Sequence, residues 1–178
     1  LDGIWSFVPD RAASGQILEG RMIVEGASPV PIAVPASWNE QLPELDTFLG
    51  PAWYHRTFRA PIGFDSESRR LWLRFGSVNY AAAVYVNGEY AGTHEGGHLP
   101  FEVDATPYLS KANANDVHHL VVRVDGSLER SHVPPGGGWG AMAPGCHPSA
   151  SFDFYPFCGI QRSVLLCDRP AHGVSGLQ

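Results

Sequence analysis

Apolar residues recur at every second position of this chain in short runs, and no stretch keeps a helical period over the length of an ordinary helix. Gly3-Ile4-Trp5-Ser6-Phe7-Val8 is the first such run. Val30-Pro31-Ile32-Ala33-Val34-Pro35 follows, and its prolines cannot donate to a ladder, which predicts an edge strand. Trp53-Tyr54-His55-Arg56-Thr57-Phe58-Arg59 alternates cleanly. Arg70-Leu71-Trp72-Leu73-Arg74-Phe75 sets Leu71, Leu73 and Phe75 on one face. The strongest local signal is Ala81-Ala82-Ala83-Val84-Tyr85-Val86, then Asn87-Gly88, then Glu89-Tyr90-Ala91-Gly92. Asn-Gly suits a two-residue turn with positive φ at both positions, so this stretch predicts a hairpin. His118-His119-Leu120-Val121-Val122-Arg123-Val124 and Arg162-Ser163-Val164-Leu165-Leu166-Cys167 complete the strands. Many short strands between turn residues predict an all-β domain, sandwich or barrel.

Residues 131–151 break the pattern. They carry Pro134-Pro135-Gly136-Gly137-Gly138, Trp139, Met142 and Cys146 without periodicity, which predicts a long loop. Loops of that length in a compact domain are usually functional or disordered. From Asp168 onward, Pro170, Gly173 and Gly176 follow the last apolar run. The expected division is a domain over 1–170, with 171–178 opening an inter-domain connection.

Composition narrows the class. The chain has 178 residues, 44% of them hydrophobic, enough for one domain with a sizeable core. A formal net charge of -6 argues against a nucleic-acid partner. No apolar run approaches the roughly 20 residues that cross a bilayer, so no membrane partner is expected. Cys146, Cys158 and Cys167 are odd in number and lack C-x-x-C spacing, which reads as buried free thiols with at most one disulfide. The compartment is left open.

The densest cluster of chemistry is Thr93-His94-Glu95-Gly96-Gly97-His98-Leu99-Pro100-Phe101-Glu102-Val103-Asp104. Gly96-Gly97 excludes a regular helix, so His94 and His98 are not a helical metal pair, and no metal site is expected. The stretch reads as a scaffold turn in which Phe101 and Val103 return to the core. His118 and His119 open a strand and point to opposite faces, so they read as surface or strand-end residues rather than joint ligands. Trp139 either stacks on a ligand or packs. Asp153 is the best functional candidate, set in Ser151-Phe152-Asp153-Phe154-Tyr155-Pro156-Phe157. A carboxylate among aromatics needs partners. These are either backbone amides or Arg162, or else the donor hydroxyls of a sugar whose apolar face the aromatics cover.

Eight motifs in order carry a resemblance: Leu1-Asp2-Gly3-Ile4-Trp5-Ser6-Phe7, Val34-Pro35-Ala36-Ser37-Trp38-Asn39-Glu40, Gly50-Pro51-Ala52-Trp53-Tyr54-His55-Arg56-Thr57-Phe58, Leu73-Arg74-Phe75-Gly76-Ser77-Val78, Val84-Tyr85-Val86-Asn87-Gly88, His94-Glu95-Gly96-Gly97-His98-Leu99-Pro100-Phe101-Glu102, Phe152-Asp153-Phe154-Tyr155 and Gly159-Ile160-Gln161-Arg162-Ser163-Val164. The chain resembles the N-terminal sugar-binding domain of family 2 glycoside hydrolases, and within them the β-glucuronidases most closely. The resemblance implies a jelly-roll β-sandwich of the galactose-binding-domain-like type. It implies partners in the same polypeptide, an immunoglobulin-like domain and a (β/α)8 barrel that carries both catalytic glutamates. No catalytic residue is then expected in this chain, and no cofactor. The implied ligand is a β-glucuronide or related sugar, and the implied role of Asp153 is to hold that sugar in the barrel's pocket. Whether the full enzyme is a homo-oligomer is left open. Two positions depart from the family pattern: His98 stands where Tyr is usual, and Pro156 where Asn is usual. A free-standing carbohydrate-binding module and a protein-interaction module are the competing readings.

Overall fold

The computed structural model describes residues 1–109, 116–129, 131–133, 135 and 156–173. Among these residues run thirteen strands: β1 (Gly3–Pro9), β2 (Gln16–Leu18), β3 (Arg21–Ile23), β4 (Val30–Val34), β5 (Pro51–Phe58), β6 (Arg69–Phe75), β7 (Val78–Asn79), β8 (Ala81–Val86), β9 (Glu89–Glu95), β10 (Phe101–Asp104), β11 (His118–Asp125), β12 (Gly159–Ile160) and β13 (Val164–Pro170). A six-stranded antiparallel sheet has the order β4-β1-β5-β11-β8-β9, and a three-stranded sheet the order β10-β6-β13. Two further ladders pair β12 with β7 and β2 with β3.

The two larger sheets form a β-sandwich around one apolar core. Period-2 alternation sends Leu71, Leu73 and Phe75 of β6, Val103 of β10 and Val164 of β13 inward. They meet Trp5, Phe7, Ile32, Val34, Tyr54, Val84, Val86, Leu120, Val122 and Val124 from the six-stranded sheet. Burial of each such side chain stabilises the fold by about 1.5–3 kcal/mol. Strand β4, with Pro31, lies at the sheet edge as its prolines require. The β8–β9 hairpin turns through Asn87 (φ 51°) and Gly88 (φ 89°).

Several expectations are corrected. Strand β5 does not alternate cleanly, because Ala52, Trp53 and Tyr54 are all buried. Tyr54 faces the core, whereas Trp53 lies under the β2–β3 hairpin, which crosses the outer face of the six-stranded sheet. There Met22 and Val24 pack on Val8, Trp53 and Val121. His118 is a strand-end residue, the first of β11, but not a surface one: it is 2% exposed and packs against the Phe58 ring. The last strand runs through Pro170, so Asp168 to Pro170 continue the sheet. The all-β class holds: among the described residues one four-residue α-helix, α1 (Trp38–Gln41), and two 3-10 turns, Pro43–Leu45 and Thr106–Tyr108, accompany the strands, and the N-cap Ser37 of α1 accepts from the Glu40 amide. The predicted loop over 131–151 lies largely outside the described residues. Of the cysteines, Cys158 is a buried free thiol and Cys167 a half-buried one, while Cys146 lies outside the described residues.

Candidate functional site

Asp153 and Trp139 lie outside the described residues. The framework that receives both flanks of residues 136–155 is described, and it converges on two adjacent residues, Asn79 and Tyr80. On the leading side, the His132 ring stacks on Tyr80 with centroids 4.3 Å apart. The Val133 amide donates to the Tyr80 hydroxyl at 3.3 Å. On the returning side, Asn79 Nδ2 donates to the Phe157 carbonyl at 2.6 Å, and Gln161 Nε2 donates to the same oxygen. Tyr80 is itself 7% exposed, and its amide donates to the Asp125 carbonyl at the end of β11.

The returning strand is fastened a second time by α1. That helix projects Asn39 into the sandwich, where its Oδ1 accepts from the Cys158 amide at 2.8 Å. Its Nδ2 donates to the carbonyls of Leu45, Asp46 and Phe48 at 2.9, 3.2 and 2.9 Å. A buried amide with both ends satisfied fixes the chain on either side of it. The Cys158 carbonyl accepts from the Trp38 amide. Burial, then the nearby Asp125 carboxylate, push the Cys158 thiol's pKa far up. That excludes it as a thiolate nucleophile. Position 126 is held to glycine by this packing, since an added Cβ would stand 2.2 Å from Cys158 Sγ.

The densest sequence cluster supports this framework. Gly96, at φ 109°, donates its amide to the Tyr80 carbonyl at 3.1 Å. Ser77 Oγ donates to the Gly97 carbonyl at 2.5 Å, and a Cβ on Gly97 would lie 2.3 Å from Asn79 Oδ1. The double glycine therefore lets one turn press closely on the residues that hold both flanks. His94 stacks on Phe101 at 4.4 Å, its Nε2 lying 3.2 Å from the Gly96 carbonyl. Glu95 sits exposed at the end of β9. Arg162, a sequence candidate for pairing with Asp153, places Nη1 3.4 Å from the His98 carbonyl. Among the described residues no group of three His, Cys, Asp or Glu side chains converges as a metal site. The arrangement is thus a hydrogen-bonded seat for both flanks of residues 136–155.

Sequence reasoning missed Asn39, Asn79, Tyr80 and His132. Only Asn39 had a signal, the capping-box spacing of Ser37 and Glu40 on either side of it.

The framework can be set beside known proteins. The profile of glycosyl hydrolases family 2, sugar binding domain, matches residues 1–170. The β-glucuronidase of Rattus norvegicus is 34% identical over 186 aligned residues, covering 96% of this chain and 28% of the relative. The β-glucuronidase of Homo sapiens is 32% identical with the same coverage. The solved β-glucuronidase of Faecalibacterium prausnitzii superposes with a TM-score of 0.78 at 31% identity, covering 96% of this chain and 31% of that one. The structure of Bifidobacterium dentium β-glucuronidase complexed with coumarin-3-O-glucuronide gives 0.74 at 31% identity, covering 96% and 30%. The chain spans about 28% of the length of the curated relatives it matches. A sandwich of this topology, matched from its first strand through its last, belongs to glycosyl hydrolases family 2 and is that family's sugar-binding domain.

Proposed function

We propose that this domain serves a retaining β-glucuronidase, bracing its catalytic barrel and supplying one contact to the sugar through Asp153. The likeness to β-glucuronidases over 96% of the chain carries the reading. Catalysis belongs to two glutamates on the barrel, because retention needs a pair of carboxyl groups about 5 Å apart across one glycosidic bond. Residues 171–178 begin the connection toward an immunoglobulin-like domain and the barrel. The substrate is a β-glucuronide or related sugar, with Asp153 accepting hydrogen bonds from its hydroxyls. The seat at Asn79 and Tyr80 favours this role, since a contact is only as well placed as the flanks that hold its segment.

The test is Asp153→Ala in the full-length enzyme. Its kcat/KM for a chromogenic glucuronide should fall on the order of 30- to 100-fold, as for a lost charge-assisted hydrogen bond. Its melting temperature should stay close to the parent's. Unchanged kinetics would reject the contact. The 178-residue chain alone should not turn over the glucuronide, and turnover by a pure sample would reject the assignment of both glutamates elsewhere.

A further inference from the structure

The returning flank of residues 136–155 is held by bonds whose kind changes along it. From Ile160 onward the ties run backbone to backbone. The Ala36 amide donates to the Ile160 carbonyl at 3.0 Å, the Gln161 amide to the Ser77 carbonyl at 3.1 Å, and the Gly76 amide to the Ser163 carbonyl at 3.0 Å. At Cys158 a side chain enters: the carbonyl still accepts from the Trp38 amide at 3.2 Å, but the amide donates to Asn39 Oδ1 at 2.8 Å. At Phe157 the carbonyl accepts from two side-chain amides, Asn79 Nδ2 at 2.6 Å and Gln161 Nε2. Gln161 lies four positions further on in the same segment, so its bond travels with that segment. Asn79 lies 78 positions earlier, in β7, so its bond ties Phe157 to a different part of the sandwich.

The Asn79 side chain is prepared for this bond. Val78, its neighbour in β7, is fully buried, and alternation along the strand turns Asn79 to the opposite side. The register sets Asn79 opposite Gly159, two residues past Phe157. Gly97 packs against the same side chain. A Cβ there would lie 2.3 Å from Asn79 Oδ1 and 2.8 Å from its Cγ, closer than any real contact. Ser77 Oγ donates to the Gly97 carbonyl at 2.5 Å and holds that glycine in place. Glycine at 97 thus leaves Asn79 the room in which it reaches Phe157.

We propose that Asn79 is a positioning residue for the sugar contact, acting through Asp153 by fixing the Phe157 carbonyl against β7. The inference rests on the reading of Asp153 given under the proposed function. Asp153 stands four positions before Phe157, and four residues span at most about 14 Å. The bond from Asn79 therefore sets the base from which Asp153 reaches a ligand. Misplacing a contact by about 1 Å can cost on the order of 100-fold in rate, so a tie at this distance in sequence has leverage on turnover.

A double-mutant cycle in the full-length enzyme, with a chromogenic glucuronide as substrate, tests this. Asn79→Ala alone should lower kcat/KM about 3- to 10-fold, less than Asp153→Ala, because the contact is displaced rather than deleted. The loss should divide between KM and kcat as that of Asp153→Ala does, whereas a smaller folded fraction would lower kcat and leave KM unchanged. In the Asp153→Ala background the same substitution should change kcat/KM by less than about twofold. Gly97→Ala, which crowds Asn79 off the carbonyl, should repeat the pattern and likewise lose its effect without Asp153. The Asn79 bond lies at the surface, so Asn79→Ala should keep a melting temperature close to the parent's. Parent-like kinetics in Asp153→Ala would reject the sugar contact, and the positioning role with it. A loss in Asp153→Ala accompanied by parent-like kinetics in both Asn79→Ala and Gly97→Ala would overturn the positioning role alone. So would an Asn79→Ala loss that persists undiminished once Asp153 is gone.

Discussion

The two faces of the six-stranded sheet bury side chains by different means. The inner face meets a second sheet, and its side chains join one continuous apolar core with Trp5, Phe7, Tyr54 and Phe75 fully enclosed. Among the described residues the outer face is covered by the β2–β3 hairpin, and burial there is a patch around Trp53. Polar bonds take over where apolar cover is thin. Asp10, 1% exposed, accepts the Trp53 indole N–H at 2.9 Å and the amides of Ser14 and Gly15 at 2.8 and 2.9 Å. Burial alone would raise the Asp10 pKa. The Trp53 indole, the Gly15 and Ser14 amides and the Arg123 charge outweigh it and hold the carboxyl below its usual value. The outer face of the three-stranded sheet goes further toward charge. Glu102 takes Arg169 at 2.6 and 2.7 Å and Arg74 at 3.0 Å. One fold therefore grades from apolar packing through buried hydrogen bonds to surface ion pairs as cover is lost.

Three substitutions probe that gradient. Phe75→Ala, in the shared core and stacked on Phe101 at 4.8 Å, should cost about 3–5 kcal/mol in urea unfolding. A smaller loss than at the outer-face sites would mean that the two sheets do not share one core. Asp10→Ala should cost about 2–3 kcal/mol, since it strands the Trp53 indole N–H and two amides beneath limited cover. The loss should appear as lowered exchange protection around residues 10–24 before global unfolding. Glu102→Gln should cost less than about 1 kcal/mol, because its arginine partners are 37% and 42% solvent-exposed. The Arg169 hydrogen bonds, aided by Arg74, lower the Glu102 pKa to about 2. A depressed carboxylate stabilises above its unfolded value and loses that contribution as pH falls toward 2. Melting temperatures of parent and variant should therefore converge in acid and separate slightly near neutrality.

The same gradient explains what the sequence could disclose. Leu71, Leu73 and Phe75 were legible because one face of β6 meets the core and the other meets solvent. Asn87-Gly88 was legible because its backbone demands those residue types. Trp53 was misread because alternation assumes an uncovered outer face, and the cover is a hairpin of two three-residue strands, too short to leave a pattern. Its turn uses Glu19 at positive φ, a residue that does not announce such a turn. His118 was placed at its strand end, but its burial was not legible, because its neighbours Phe58 and Asn87 are distant in the chain, Asn87 by 31 positions. The seat at Asn79 and Tyr80 is likewise made of contacts between distant segments, and no local spacing encodes it.

That seat also bears on how such a domain can diversify. Both flanks of residues 136–155 are clamped to neighbouring positions of one strand junction, so whatever peptide joins them starts and finishes at the same doorway. Lengthening a closed loop adds only about 0.6 kcal/mol per doubling. The sandwich can therefore serve as a socket into which segments of other lengths and compositions are spliced. New contacts to a ligand could be tried there without the core having to be relearned.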